Sequence, residues 1–282
     1  MLKTSFAGAI VLAMMATPAL GQSADAPSAS LSVSGSATLT SDYRFRGVSQ
    51  SDGGAAVQAG ITVAHDSGVY AGVWGSSLAG WGTFGGPNME LDLIGGVKRS
   101  FAGGTIDAGL TWFMYPGGAK TTDFGEAFLK LTVTTGPVTL TGAVAYAPKQ
   151  RALGRVFDTG AAAAAGTPIR PGAKGDNLYL SGDGALTLTG TPVTLKAHIG
   201  HSRGNRGLGP NATSVAPTGR YWDWSLGADV TPVSGLTLGV AWVGTDIGRR
   251  ESAHLQPIFS RGQDGSGSIA GSTLIASLTA SF

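Results

Sequence analysis

The residues whose types and spacing most suggest chemistry are Asp42, Arg44 and Arg46, charged side chains set two apart. That interval puts all three on one face of an extended strand, because successive side chains of a strand point to opposite sides. Glu90 and Asp92 repeat the interval. Lys98, Asp107, Glu126, Lys130, Tyr179, Asp183, Lys196, His198, Tyr221, Asp223 and Asp229 take the same polar parity in later segments. Ionisable groups of both signs on one wall of a narrow passage decide which ions pass. Acidic groups slightly outnumber basic ones in this set, which predicts a weak preference for cations. Asp42, Arg44 and Arg46 carry two readings. One is a constriction or solute-contact site near an outer mouth. The other is an ion-pair ladder to Glu90, Asp92 or Glu126 that fixes strand register.

Other chemistry finds little support. His65, His198, His201 and His254 are scattered, without the spacing of a metal site. GHSRGNRGLG is glycine-rich but lies between two strand patterns, whereas a phosphate-cradling loop needs a following helix N-terminus. A lipid-modifying barrel enzyme would need a nucleophile, a histidine and an acid converging, and only His201 with Ser202 offers a start. Asn211-Ala212-Thr213 fits a glycosylation pattern and is read as chance. The expectation is a non-enzyme without cofactor or metal.

The elements that must position these charges are strands. In LSVSGSATLTSDYRFRG, Leu31, Val33, Ala37, Leu39, Tyr43 and Phe45 share one parity, and Ser, Thr, Asp and Arg hold the other for about sixteen residues. A globular strand is usually ~5–6 residues long. Apolar rows recur at Val57–Val63, Met89–Val97, Ile106–Trp112, Ala127–Val133, Val138–Val144, Leu178–Leu188, Val193–Ile199, Trp222–Val230, Leu236–Trp242 and Leu274–Phe282. Val69–Leu78 is a strand whose facing the pattern does not settle. The total is about twelve, an even number, as in bacterial single-chain membrane barrels.

Connections alternate in length. Asp66-Ser67-Gly68, Phe101–Gly104, Gly136-Pro137, Gly190–Pro192 and Pro232–Gly235 are tight. Between them lie the longer segments Val48–Gly54, Ala79–Asn88, Pro116–Asp123, Ala147–Asp176, Ser202–Arg220 and Gly248–Ile269. Short turns at one end and long loops at the other describe an up-and-down membrane barrel, an alternation that a soluble β-sandwich has no reason to keep. Tyr43, Phe45, Trp112, Tyr146, Trp222, Trp224 and Trp242 sit where strands meet long loops, which predicts an aromatic girdle at one membrane interface.

Composition agrees. Charged residues are 13% of the chain, glycines number 46 of 282, and cysteine is absent. Average usage is ~25% charged and ~7% glycine. The formal charge of +2 gives no basis for nucleic-acid binding. Lys3, an apolar stretch from Phe6 to about Met15, and Ala19-x-Gly21 predict a signal peptide over 1–21, too short in its apolar core to span a bilayer. A periplasmic linker over 22–30 and a barrel over 31–282 complete the organisation.

STLIASLTASF ends on Phe282 with Leu278 and Leu274 in the same parity. It resembles the sorting signal read by the outer-membrane barrel assembly machinery. TSDYRFRGVSQS, SGVYAGVWGSSL, NMELDLIGGVKRSFAGGTIDAGLTWFMYPGG, TDFGEAFLKL, LKAHIGHS, YWDWSLGADV and LTLGVAWVGTDI, in that order, resemble the TorF-type porins of proteobacteria, also called Gcw_chp-like outer-membrane proteins. The resemblance spans the mature chain and is most specific over Asp42–Ser51. The stretch ALGRVFDTGAAAAAGTPIRPGAKG departs from it. The resemblance implies an outer-membrane barrel and a pore, with no catalytic residues.

The expectation is therefore an all-β, transmembrane up-and-down antiparallel β-barrel with short periplasmic turns and long extracellular loops. Its partners would be small polar solutes, outer-membrane lipids and lipopolysaccharide. A structural barrel with a filled lumen is the alternative, and the Ala161–Ala165 run reads as either a helical turn or a lumen plug. Lys149, Arg151, Arg155, Arg170, Lys174, Arg203, Arg206, Arg220, Arg249, Arg250 and Arg261 make the long loops basic, for solubility or for lipopolysaccharide phosphates.

Overall fold

The computed structural model describes residues 30–83, 86, 88–255 and 268–282. The predicted signal peptide, the linker up to residue 29, and Arg261 lie outside the described residues. The described chain forms a closed antiparallel barrel of twelve strands. In chain order the strands are β1 (Leu31–Thr40), then β2 (Arg44–Phe45) and β3 (Val48–Ser49), a small hairpin outside the barrel sheet. β4 (Ala56–His65), β5 (Val69–Ser77), β6 (Met89–Phe101), β7 (Gly104–Met114), β8 (Phe124–Thr135) and β9 (Val138–Gln150) follow. β10 (Gly175–Thr187), β11 (Val193–Arg206), β12 (Thr218–Val233), β13 (Leu236–Thr245) and β14 (Thr273–Ser281) complete the wall. Each pairs with its sequence neighbour, and β1 closes the ring on β14 with Leu39 opposite Leu278. Two short helices, α1 (Gly160–Ala164) and α2 (Arg249–Leu255), lie in the long loops.

The facing of the wall inverts that of a soluble protein. Leu110 is 64% and Leu226 67% exposed on the outer surface. Leu129, Leu131, Leu140, Leu195, Ile199, Leu238 and Val240 are exposed in the same way. The alternate positions point inward and are mostly hydroxylic, glycine or charged, with buried aromatics such as Trp74, Phe113 and Phe124 among them. β5 resolves in the same sense, with Val69 outward and Trp74 and Ser76 buried. Near the short-turn end, inward hydroxyls pair across strands: Thr132 with Thr141 at 3.0 Å, Thr134 with Thr139 at 3.1 Å and Thr38 with Thr279 at 2.9 Å. Cross-strand pairs of this kind add to register.

Two expectations need correction. The first wall strand ends at Thr40, not at Arg46. From Ser41 the chain turns into the barrel, and Tyr43 and Phe45 pack inside it, not in an outer girdle. Trp112, Tyr146, Trp222 and Trp242 do lie exposed on the outer face. Secondly, wall strands run further than their apolar rows. β11 continues to Arg206 and β12 begins at Thr218, which shortens the intervening loop to 207–217.

Candidate functional site

The barrel interior has three levels. The hydroxyl pairs line the short-turn end. A charged belt crosses the middle. At the long-loop end the loops fold inward and pack.

Paired strands bring the belt together. Lys98 faces Asp107, and Asp107 faces Lys130, so three adjacent strands carry a row of alternating sign. The Tyr70 hydroxyl donates to Asp107 at 2.8 Å, and the Lys130 ammonium lies 4.5 Å from the Phe128 ring centroid. Opposite, β10 to β12 hold a second group. His198 Nδ1 lies 2.7 Å from Asp183 and its Nε2 lies 3.0 Å from Asp223, to which the Tyr179 hydroxyl also donates. Lys196 pairs with Asp229. Lys98, Lys130, Lys196, His198, Asp107, Asp183 and Asp229 therefore all take inner-face positions.

Glu90, Asp92, Glu126 and Tyr221 also point inward, at the level where the loops pack, and Tyr179 and Asp223 join that level to the belt. Here the segment 41–55 crosses the bore. β2 and β3 form a hairpin whose two turn residues, Arg46 and Gly47, have φ of 49° and 77°. Two successive positive φ angles make the tight turn that matches strand twist. Gly47 is required twice over, since a β-carbon there would come within 2.5 Å of Thr245 and 2.8 Å of Asp223. Arg46 accepts an unfavourable backbone because its side chain is held strongly. Its Nη2 donates to both oxygens of Glu126 at 2.7 Å, and its Nη1 donates to Asn177 at 2.6 Å. Its guanidinium stacks 4.2 Å from the Tyr179 ring centroid. Glu126 and Asn177 belong to β8 and β10, across the ring from β1. Arg46 thus ties the hairpin to the far wall. Of the expected ion-pair partners Glu126 is met, across the bore and not along a ladder of neighbouring strands.

The base of the hairpin is fixed as firmly. Arg44 donates to Asp42 at 2.6 Å and to the carbonyls of Gly47, Ile269 and Gly271 at 2.8–2.9 Å. Ser49 and Ser51 donate to the remaining Asp42 oxygen at 2.5 and 3.2 Å. Asp42, Arg44 and Arg46 therefore occupy the plug and not the wall. Burial, and then the charges of Glu90 and Asp92, push the Tyr43 phenol well above its usual value. It stays a donor to Glu90, at 3.1 Å.

Apolar packing seats the hairpin. Tyr43 meets Trp74 edge-on with centroids 5.5 Å apart, Phe45 meets Phe113 at 5.9 Å, and Phe113 stacks on Phe124 at 4.5 Å. Ala152 and Leu153 from the loop after β9 join this cluster. Val48, Trp81, Val156, Phe157, Leu208 and Ile269 build a second. The Ala161–Ala165 run forms the helical turn α1, capped by Thr159 and leaning on the second cluster through Ala162 and Ala163. A cavity of about 10 Å³ remains among Phe45, Gln50, Glu90, Tyr115 and Tyr221, space for about one water. Asp92 is fully buried, and neither of its oxygens has a hydrogen-bond partner among the described residues. An unsatisfied buried acid works against the closed packing.

Asn177, Trp74, Phe113 and Ile269 escaped the reading of the sequence. Trp74 and Phe113 are apolar residues on the inward parity, Trp74 directly after Val73 and Phe113 directly after Trp112, so that both faces are apolar there. That loss of alternation was their signal. His201 and Ser202 do not converge. Ser202 points inward, accepting from Asn177 at 3.2 Å, while His201 lies against the outward Trp222 ring.

The model of a family described as bacterial proteins of unknown function (Gcw_chp) matches residues 24–282. The chain belongs to this family. No curated protein matches the sequence. Among solved structures, this Gcw_chp barrel is similar to the NanC porin, with a TM-score of 0.53 at 9% identity, over 89% of this chain and 99% of that one. It is similar to the KdgM porin, with a TM-score of 0.52 at 8% identity, over 88% and 99%. At such identities the likeness is one of fold, and the Gcw_chp chain shares the closed twelve-strand barrel.

Proposed function

We propose that the protein resides in the bacterial outer membrane as a narrow passive pore for small polar solutes or ions, its outer mouth closed at rest by residues 41–55. The observation that carries this reading is the facing of the wall, with leucines outward and hydroxyls and charges inward. A surrounding of acyl chains would stabilise that arrangement, because exposed apolar area costs ~25 cal/mol per Å² in water. The exposed aromatic row at the long-loop end suits headgroup depth. The resemblance to TorF-type porins supports the same reading. Twelve strands leave a bore narrower than that of 16–18-stranded porins.

A second reading, a structural barrel with a filled lumen, draws on the dense packing of the plug. Planar-bilayer recording of the purified protein separates the two. A pore gives brief unitary steps from the wild type and frequent ones when the hairpin is released. A structural barrel gives none in either case.

Charge selectivity follows from the inner face as a whole. The belt itself is nearly balanced, and Glu90, Asp92, Glu126 and Asp223 above it give the inner face its acidic excess, so the reversal potential under a KCl gradient is expected to show a weak cation preference. Clear anion selectivity would contradict the inner face as the selecting surface.

A further inference from the structure

We propose that the outer surface of β11 and β12, just beyond the aromatic row, grips a phosphorylated lipid headgroup of the outer leaflet between Arg203 and Arg220. The proposal rests on the membrane reading and adds a specific site to it. Arg203 and Arg220 are direct partners in the β11–β12 register. Both fall on the outward parity and both are exposed. Facing residues on paired strands hold their β-carbons roughly 4.5–5.5 Å apart, and like charges so placed repel. Among the described residues, no ion pair is formed by either guanidinium. The acids on the same rim are engaged elsewhere. Asp176 accepts from the Tyr146 hydroxyl at 3.2 Å, and Asp246 accepts from the Trp222 backbone N–H at 2.7 Å. Arg206, exposed on the same strand as Arg203, adds a third positive charge. A phosphate between the two forks would turn the repulsion into charge-assisted, bidentate hydrogen bonds.

The surface beneath the pair identifies the anion as a lipid. The next outward pair is His201 facing Trp222, with ring centroids 4.7 Å apart. Below it Ile199 faces Trp224, and Ala197 faces the exposed Leu226. Charge, then aromatic ring, then aliphatic surface is the order of phosphate, interface and acyl chain in an amphiphile standing along the wall. A soluble anion would leave the lower two layers uncovered.

The test counts lipids bound to the folded barrel in neutral detergent by native mass spectrometry. Diphosphoryl lipid A and its dephosphorylated form are the probes. The wild type is expected to retain the phosphorylated form at least tenfold more than the dephosphorylated one, and R203Q/R220Q is expected to lose at least tenfold of that retention. Inorganic phosphate at equal concentration should not displace the lipid. Retention by the double variant within twofold of wild type, equal binding of the dephosphorylated lipid, or displacement by inorganic phosphate would each overturn the site. Insertion into vesicles is measured alongside. A barrel that inserts but binds no lipid A fails this proposal alone, and one that enters no vesicle fails the membrane reading beneath it.

Discussion

Replacing Arg46 by alanine is expected to convert a mostly closed barrel into one that conducts for much of the recording. The Arg46–Glu126 pair is almost completely buried, with side chains 3% and 8% exposed. Removing one member of such a pair strands the other charge, a loss of roughly 3–5 kcal/mol. The turn at Arg46 also carries a positive φ that the pair helps to hold. Once Arg46 lets go, the closed packing is weakened on the order of 10²–10⁴-fold relative to any arrangement in which Glu126 meets water. The wall itself does not depend on the hairpin, since β1 keeps its pairing with β4 and β14. The variant should therefore remain folded, as seen by a heat-dependent shift on gels. E126Q should open the mouth in the same way. The double variant R46A/E126Q should add little beyond either single change, because residues of one ion pair are strongly coupled. Unchanged conductance in R46A, with the barrel intact, would mean that residues 41–55 do not control passage.

The second large effect concerns the outer surface. Leu129 and Thr132 lie three residues apart on β8, one outward and exposed, the other inward and hydrogen-bonded to Thr141. Leu129→Arg places a charge among acyl chains near mid-strand, at a cost of about 2–4 kcal/mol. Thr132→Arg places the same charge beside a polar bore and loses one inward hydroxyl pair, about 0.5–1.5 kcal/mol. Urea-dependent folding into vesicles should show a much lower midpoint for Leu129→Arg than for Thr132→Arg. Equal midpoints would mean that the two faces meet the same solvent.

The wall was legible because period two survives wherever one face meets lipid and the other meets the bore. Rows such as Leu236, Leu238 and Val240 therefore declared their side directly, and the short turns declared the strand order. The plug was hidden by the same rule. Asp42, Tyr43, Arg44, Phe45 and Arg46 alternate like wall residues because they build a hairpin, and a strand in the bore has the same periodicity as one in the wall. The cue lay in Arg46-Gly47, a two-residue turn between alternating pairs, where arginine is not the residue such turns favour. Glu126 was among the partners the charge pattern offered, but a contact across the bore, with Asn177 beside it, was beyond local pattern. Glu126 and Asn177 are distant in sequence and become neighbours only through closure of the ring. The inward aromatics Trp74, Phe113 and Phe124 broke the polar parity at strand ends, and without a segment to receive them they had no meaning in sequence alone.

A water-filled bore requires the wall to face one way only, and the absence of cysteine from the chain makes that facing directly measurable. Single cysteines at Thr237, Leu238, Gly239 and Val240 of β13, labelled with an environment-sensitive fluorophore after insertion into vesicles, report the surroundings of each position in turn. The expected result is strict alternation, with quenching by brominated lipid at 238 and 240 and by a water-soluble quencher at 237 and 239. Quenching by lipid at all four positions, by water at all four, or in the opposite order would contradict a barrel with acyl chains outside and water within.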